Sequence, residues 1–211
     1  MKSKKYESKS KTSSNPAAKV EQGLVLILSA PSGCGKTTIA DRLLKRHPDW
    51  VRSISVTTRE PRPGEKNGSD YFFLKDAQFQ EMKEKGEFLE YANIYGQYYG
   101  TPKSYVLKNY ENQTTVLLAI DIQGMKQVRE ALGDRYSLLT IFILPPSIKV
   151  LRERLEGRQT EKAEEIEKRM RVAEDEIKQA TLYHDSVINQ SLEQTVLEID
   201  EIVNKFKKER E

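Results

Sequence analysis

The sequence predicts an α/β protein with a parallel sheet core covered by helices on both faces. Three apolar segments have the length of buried strands and are separated by segments of helical periodicity; they are Leu24–Ser29, Val116–Ile120 and Leu138–Leu144. Strands that alternate with helices pair in parallel through right-handed crossovers, and the crossovers place helices on both faces of the sheet. A length of 211 residues suits a single domain, or a compact domain with two lobes.

The N-terminal region of the chain changes character at Gly23. Residues 1–22 are rich in Lys and Ser and poor in large apolar residues, so we expect a disordered basic tail. After the strand Leu24–Ser29 and a glycine-containing turn, an apolar stripe predicts a helix from Lys36 to Arg46. His47-Pro48 ends this helix, because a residue before proline disfavours the α region.

The middle of the chain does not continue the alternation of strands and helices, since it is rich in loops and tyrosines. We interpret it as a small lobe inserted on the main sheet. It begins with an alternating strand at Ser53–Thr57 and a loop at residues 60–68, which is rich in proline and glycine. A strand at Tyr71–Leu74 precedes a helix that Asp76 caps and that ends near Gly86. The residues that follow, up to Thr101, are dense in tyrosine and glycine.

The second half of the chain returns to the alternating pattern. The predicted elements after the strand at Val116–Ile120 are, in order, a helix at Gln123–Leu132, the strand at Leu138–Leu144, a helix at Ile148–Leu155, a polar break at residues 157–163, a long charged helix at Glu164–Leu182, a short strand at Val187-Ile188 and a closing helix at Leu192–Glu209.

Composition excludes several classes of protein. One cysteine rules out an intrachain disulfide framework and a multi-cysteine zinc site. No apolar run approaches the ~20 residues of a membrane span, and no secretory signal is present, so we expect a cytoplasmic protein without a membrane partner. The net charge of +3 belongs to residues 1–22, whose six lysines and two glutamates leave about −1 for the rest. Total charge therefore does not favour a nucleic-acid partner.

A phosphate-binding loop is the sharpest signal in the chain. It fits G-x-x-x-x-G-K-[ST] with Ala30 in place of the first glycine, and it comprises Ala30, Pro31, Ser32, Gly33, Cys34, Gly35, Lys36 and Thr37. The glycines let successive backbone N–H groups face one anion, and the following helix N-terminus adds a positive dipole end. Lys36 reaches the β- and γ-phosphates of a nucleoside triphosphate, and the Thr37 hydroxyl is a ligand for Mg²⁺.

Several further motifs, in order, resemble the guanylate kinase family. They are Ser55-Val56-Thr57-Thr58-Arg59-Glu60-Pro61-Arg62-Pro63-Gly64-Glu65, Tyr71-Phe72-Phe73, Phe88-Leu89-Glu90, Gly96-Gln97-Tyr98-Tyr99-Gly100-Thr101 and Asp121-Ile122-Gln123-Gly124. The resemblance extends from Gly23 to the C-terminal helix. It implies the nucleoside monophosphate kinase fold with a phosphate loop, and transfer of a phosphoryl group from ATP to GMP or dGMP in purine nucleotide metabolism.

The resemblance implies a GMP site in the inserted lobe. The phosphate of GMP would be held by Arg59, Arg62, Tyr71 and Tyr99, while Ser55, Glu90, Thr101 and Asp121 would frame the base. The chemistry agrees with these roles, because two guanidinium forks suit a monophosphate. A carboxylate such as Glu90 accepts the adjacent N1–H and N2–H donors of guanine and so selects it over adenine.

The resemblance also implies an ATP site with a lid. The loop residues, with Thr38, would bind the phosphates; Arg154 would lie near the adenine or its phosphates and Asn189 near the adenine ring. Lys36 and the lid arginines Arg158 and Arg169 would be catalytic. The implied divisions of the domain at 23–211 are a core (23–53, 105–148 and 180–211), a GMP-binding lobe (54–104) and a lid (149–179).

One departure and two alternatives qualify this prediction. The family commonly has two acids, D-x-D, before Gln-Gly, but here Ala119 replaces the first of them. A related kinase for a sugar phosphate such as ribose bisphosphate would not need Ser55 and Glu90. A non-catalytic module with a guanylate kinase-like domain would lack the phosphate loop and lid. We expect a monomer or a homodimer.

Overall fold

The computed structural model describes residues 23–94, 96–157 and 163–210. Its strands are β1 (Leu24–Ser29), β2 (Val51–Arg52), β3 (Val56–Thr57), β4 (Phe72–Phe73), β5 (Phe88–Ile94), β6 (Gln97–Pro102), β7 (Thr115–Ala119), β8 (Leu138–Leu144) and β9 (Asp185–Ile188). Its α-helices are α1 (Lys36–Arg46), α2 (Asp76–Glu84), α3 (Lys103–Glu111), α4 (Ile122–Leu132), α5 (Ile148–Glu156), α6 (Ala163–Lys178) and α7 (Leu192–Lys208).

A five-stranded parallel sheet forms the core and confirms the predicted fold class. Its strand order is β2-β7-β1-β8-β9, and central β1 pairs with β7 on one side and β8 on the other. The chain leaves β1 for β2, on one side of β1, and leaves β7 for β8, on the other side. The carboxyl end of β1 therefore lies at a topological switch point. In open α/β sheets, ligands bind beside such a point.

Helices bury both faces of this sheet. Alternate residues of β1 point to opposite faces, so Leu26 packs in one apolar cluster and Ile27 in the other. The first cluster includes buried residues of α1 and α7, and the second includes those of α3 and α4. The continuous apolar character of β1 follows from burial on both faces.

A second sheet of four strands, in the order β4-β3-β6-β5, stands apart from the core sheet. Strand β6 pairs antiparallel with both β3 and β5, while β3 and β4 are parallel. Phe79 of α2 is fully buried and stacks on Phe88 and Tyr98, with ring centroids 4.5 and 5.2 Å apart. This aromatic stack joins α2 to the sheet.

The structure corrects some predicted elements. The predicted strand Ser53–Thr57 is a strand only at its last two residues, β3, because residues 53–55 connect β2, which ends at Arg52 in the core sheet, to β3 in the second sheet. Asp76 does not cap α2: Lys75 occupies the N-cap, and Gln78 accepts its backbone N–H at 3.0 Å. Helix α3 begins directly after Pro102 and is absent from the sequence prediction. The predicted charged helix ends at Lys178, and a 3₁₀ turn follows to Leu182.

Candidate active site

The phosphate loop connects β1 to α1 at the centre of the core sheet. Gly33 and Gly35 have φ angles of 91° and 80°, in the left-handed region that glycine adopts without steric cost. Gly35 is the N-cap of α1 and has no side chain to cap the N–H groups of the first turn, which are therefore available to an anion. Thr37 and Thr38 are exposed in that turn.

Residues far along the chain hold the loop in place. The Asn189 amide donates to the Cys34 carbonyl at 2.9 Å and accepts from the Thr195 hydroxyl at 3.2 Å. Arg154 donates to the Asn189 backbone carbonyl at 3.2 Å. The Asn189 side chain therefore contacts the loop directly, and Arg154 contacts the Asn189 backbone. A contact of either residue with adenine stays a prediction.

Cys34 is a packing residue of the loop. It is fully buried among apolar residues of α5 and α6, including Leu151 and Met170. Burial raises the pKa of its thiol to about 12, although the positive charge of Arg154 opposes that rise. The thiol is therefore protonated at neutral pH and is not a nucleophile.

Lys36 lies between the predicted ATP site at the phosphate loop and the predicted GMP site. Its ammonium donates to the Ile120 carbonyl at 3.0 Å, just beyond the end of β7. Burial lowers the pKa of Lys36, and the nearby carboxylates of Asp121, Glu176 and Glu90 oppose that fall. Glu176, a half-buried residue of α6, is not among the predicted site residues; it belongs to the charged face of a helix, and only the fold brings it near Lys36.

Glu90 lies in a buried polar site on β5. Its side chain is 7% exposed overall, and the buried Thr101 hydroxyl donates to Oε1 at 2.5 Å. Burial raises the pKa of Glu90 to about 7, with a further rise from Asp121 and opposing effects from the Thr101 hydrogen bond and Lys36. The predicted pair Glu90 and Thr101 is thus brought into direct contact.

The N-terminus of α4 borders the same site. Asp121 caps this helix by accepting the Gly124 N–H at 2.7 Å. A Cβ atom at Gly124 would lie 3.0 Å from Glu90 Oε2, so the absence of a side chain there makes room for the carboxylate. Two carboxylates therefore meet at the positive end of a helix dipole.

A small cleft contains three of the predicted GMP residues. It is lined by Ser55, Tyr71 and Thr101, and also by Arg52, Ser53, Asp70, Leu118, Ala119 and Ile120. Ala119, the departure from the family pattern, thus lies on the cleft wall. Arg52 and Asp70 are not predicted, since an isolated charged residue gives no signal of this position. The Ser53 hydroxyl is buried and has no hydrogen-bond partner among the described residues.

Arg59 contacts a carboxylate and two aromatic rings, one of which belongs to the cleft residue Tyr71. Its guanidinium donates to Glu65 Oε1 at 2.9 Å, and Glu65 Oε2 accepts the backbone N–H of Arg62 at 2.7 Å. It lies 5.6 Å from the Tyr71 ring centroid, and Tyr71 makes an edge contact with Tyr99 at 6.1 Å. The hydrogen bond with Glu65, followed by one with Tyr99, raises the pKa of Arg59 despite some desolvation.

Glu65 is a site residue that the sequence prediction omits. Its signal in the sequence is the spacing Arg59-x-x-Arg62-x-x-Glu65, which repeats a charged residue every three positions. The structure brings Arg59, Tyr71 and Tyr99 together, and leaves the Arg62 side chain exposed.

Of the two predicted lid arginines, the structure describes Arg169 but not Arg158. Arg169 of α6 approaches Ser32 of the phosphate loop, with 3.5 Å between Nη1 and the hydroxyl oxygen. An ion pair between Arg152 and Glu167 joins α5 to α6. Arg158 lies outside the described residues, so its role stays a prediction.

Comparisons with known proteins support the resemblance. A family model described as guanylate kinase matches residues 22–206. A guanylate kinase from Wolbachia sp. subsp. Brugia malayi is 45% identical over 189 residues, covering 90% of this chain and 96% of the relative. One from Clostridioides difficile is 45% identical over 188 residues, covering 89% and 90%.

A solved structure also matches. The crystal structure of guanylate kinase from Anaplasma phagocytophilum has a TM-score of 0.70 and 32% identity, covering 89% of this chain and 88% of the other. The chain belongs to the guanylate kinase family. This confirms the resemblance and favours a phosphoryl-transferring enzyme of this family over a sugar-phosphate kinase or a non-catalytic module.

The described ranges hold neither a metal-binding cluster nor a membrane-spanning helix. Within residues 23–94, 96–157 and 163–210, no group of three or more His, Cys, Asp or Glu side chains is arranged to hold a metal ion. In the same ranges, no helix combines the length and the apolar character needed to cross a bilayer.

Proposed function

We propose that this chain transfers the γ-phosphoryl group of ATP to GMP or dGMP, at the site formed by the phosphate loop and the second sheet. The observation that carries the proposal is the contact of buried Glu90 with Thr101 and with the N-terminus of α4. Lys36 of the phosphate loop ends beside the same helix. A guanine-reading group and a phosphate-binding lysine thus share one edge of the core sheet.

Guanine recognition is assigned to Glu90. Its carboxylate accepts the N1–H and N2–H donors of the base together, whereas adenine offers an acceptor at N1 and has no N2 amine. Asp121 lies on the same side and supplies a second acceptor. The Ser55 hydroxyl offers a donor to O6, while the Thr101 hydroxyl donates to Glu90 Oε1 and so orients that carboxylate. A buried carboxylate site rejects a base that leaves the polar groups of the site unpaired.

The phosphate of GMP is assigned to Arg59, Arg62, Tyr71 and Tyr99. Arg59 Nε is buried and has no hydrogen-bond partner in the described ranges of the chain, so it is a donor available to an anion. Glu65 orients the Arg59 guanidinium through a direct ion pair. Because Arg62 is exposed while Arg59 is only partly so, Arg62 closes on the phosphate from the solvent side.

The triphosphate of ATP is assigned to residues 30–38. Backbone N–H groups of the loop and of the first turn of α1 face the phosphates, with charge supplied by Lys36. Arg154 and Asn189 support the loop and border the nucleoside end. Both nucleotides then lie in one crevice, which supplies proximity and alignment.

The residues present fit a magnesium ion that arrives with ATP. Mg²⁺ keeps several waters and takes one or two protein oxygens together with substrate phosphates. The exposed Thr37 hydroxyl in the first turn of α1 is such an oxygen. When bound, the ion neutralises charge on the phosphate oxygens.

Catalysis rests on positioning and charge. The attacking oxygen of GMP is already anionic, so no strong general base is required, and charge spreads over the equatorial oxygens in the transition state. Lys36 and Arg169 neutralise that charge, joined by Arg158 as the lid arginine. Closing of the lid excludes water and suppresses hydrolysis of ATP.

The remaining assignments follow from the substrates. The residues named for GMP contact the base and the phosphate, so dGMP, which differs in the sugar, is accepted as well. The proposed location is the cytoplasm, where ATP and GMP are both available. We propose that the protein acts there as a monomer or a homodimer, without a nucleic-acid or membrane partner.

A coupled assay of ADP release tests the proposal. With ATP as donor, the acceptors are GMP, dGMP, AMP, CMP, UMP and ribose bisphosphate. We expect turnover with GMP and dGMP and little with the others. Turnover with AMP but not with GMP contradicts the guanine site, and preference for ribose bisphosphate supports a sugar-phosphate kinase.

A further inference from the structure

Strand β5, which carries Glu90, is the outer strand of the second sheet. Its partner β6 lies on one side only, with Tyr91 opposite Gly100. In an antiparallel ladder, successive residues turn their backbone N–H and C=O groups to opposite sides. The backbone groups of Tyr91 therefore face outward, where another strand would otherwise pair.

The Gln127 side chain of α4 occupies that outward position. Its Oε1 accepts the Tyr91 N–H at 3.1 Å, and its Nε2 donates to the Tyr91 carbonyl at 3.1 Å. One amide thus forms both hydrogen bonds that a neighbouring strand residue would form. The contact joins the second sheet to a helix that packs on the core sheet.

The same face of α4 touches the neighbouring residue of β5. Gly124 lies one helical turn before Gln127, and a Cβ atom there would stand 3.0 Å from Glu90 Oε2. Gln127 of α4 therefore binds the Tyr91 backbone, while Gly124 of the same helix leaves room for the Glu90 carboxylate. Asp121, at the N-cap of this helix, sits at the end nearest the base site.

We propose that Gln127 is a positioning residue for guanine recognition, because its amide fixes β5 at Tyr91 and so keeps the Glu90 carboxylate aligned with the N-terminus of α4. This inference rests on the proposed role of Glu90. A carboxylate that accepts two parallel N–H donors needs a fixed orientation, and small displacements weaken bidentate recognition. Without the Gln127 amide, the outer edge of β5 at Tyr91 is left to water.

The test replaces Gln127 with Met, which keeps the length and volume of the side chain and removes both hydrogen bonds. The control is Glu130→Met, which introduces the same residue at an exposed position near the C-terminal end of the same helix. We expect Gln127→Met to raise the KM for GMP about tenfold, as for the loss of two backbone-directed hydrogen bonds, with the KM for ATP unchanged. The control should match the wild type.

The ratio of kcat/KM for GMP to that for IMP separates positioning from general loosening. IMP lacks the N2 amine, so it gains less from an aligned carboxylate. We expect this ratio to fall about fivefold to tenfold in Gln127→Met. An unchanged ratio, together with an unchanged KM for GMP, overturns the inference. If the wild type itself does not prefer GMP to IMP and AMP, the proposed function fails instead.

Two further variants keep the test informative if Gln127→Met folds poorly. Gln127→Glu is isosteric and retains the acceptor for the Tyr91 N–H but sets an oxygen against the Tyr91 carbonyl. Gly124→Ala pushes on Glu90 from the helix side. Both should lower the GMP to IMP ratio without changing the KM for ATP; ratios equal to that of the wild type in both contradict the inference.

Discussion

Glu90, the residue proposed to recognise guanine, lies where its ionised form costs stability. It is nearly fully buried, and burial raises its pKa to about 7. Only the ionised form accepts both guanine N–H donors. The protein therefore contains a carboxyl group that is half protonated near neutral pH before its substrate binds.

The KM for GMP should depend on pH through Glu90. As the pH falls below about 7, the Glu90 carboxyl of the free enzyme binds a proton. Because that proton must leave before guanine binds, the KM for GMP should rise by up to about tenfold per pH unit. The KM for ATP, measured over the same range, is the control. In Glu90→Gln the dependence should flatten; a steep slope that persists in this variant assigns the titration to another group.

The Glu90→Gln variant should also be more stable at high pH. A carboxyl group whose folded pKa is raised contributes stability at low pH, and this is lost as the pH rises through about 7. At pH 8 the native state carries the full cost of a buried charge, so removing that charge should raise the free energy of unfolding by about 3 kcal/mol. Denaturant unfolding at pH 8 and below pH 5 measures this, and an equal effect at both pH values contradicts it.

Some site residues could be predicted from the sequence and others could not. Glu90 and Thr101 stand in recognisable segments, and the structure places them in contact. Glu176 and Gln127 acquire their positions only from the packing of helices, because a charged or amide residue on a helix surface has no distinguishing pattern of its own. Asn189 carries a family signal, yet its contact with Cys34 is a feature of the tertiary fold.

At the scale of elements, helix α6 supports the phosphate loop through apolar packing. Ile166, Met170 and Ala173 are buried and share one face, where they join Cys34 and residues of α5 in a cluster separate from the two sheet clusters. Leu151 and Leu155 of α5 in turn lie against Gly33, where a Cβ atom would approach within 3.0 Å. This packing therefore joins α5 and α6 to the phosphate loop.

Truncation of this cluster should affect ATP more than GMP. Met170→Ala leaves a cavity beside the loop, and the expected cost in unfolding free energy is about 2–3 kcal/mol. We expect the KM for ATP to rise several-fold while the KM for GMP changes little. The control Val172→Ala alters an exposed residue of the same helix and should change neither. Equal increases in both KM values contradict a local role for the cluster.

The elements show where sequence patterns succeed. The core strands are predictable because burial on both faces leaves long apolar runs, as in β1 and β8. The segment Ser53–Thr57 resembles one strand, because alternation alone does not reveal that its first three residues connect the core sheet to the second sheet. Helix α3 buries mainly Val106, and one buried residue is too few to produce a helical stripe.

At the scale of the whole molecule, binding of two anionic nucleotides does not depend on net charge. The residues after position 22 sum to about −1, yet the structure concentrates positive groups at the phosphate loop and at Arg59. Opposed to them are Glu90, Asp121 and Glu176, which lower the charge around Lys36. The local arrangement of donors, and not the total, determines where phosphate binds.

Removal of residues 1–22 should therefore leave the enzyme almost unchanged. Without the six lysines of this segment, we expect kcat/KM for GMP and for ATP to stay within about twofold of the full chain at 0.15 M salt, where the Debye length is ~8 Å. The measurement is steady-state kinetics of the two proteins side by side. A large drop in either constant assigns a role in catalysis to the basic segment.

The most direct measurement of the central claim is the ratio of kcat/KM for GMP to that for AMP, determined with ATP as donor in the wild type and in Glu90→Gln. If Glu90 binds the guanine edge, the wild type strongly prefers GMP, and in the variant that preference falls at least about tenfold, because the amide replaces one of the two acceptor oxygens with an NH2 donor that faces a guanine N–H. A wild type that prefers AMP, or a ratio unchanged by the substitution, contradicts the account.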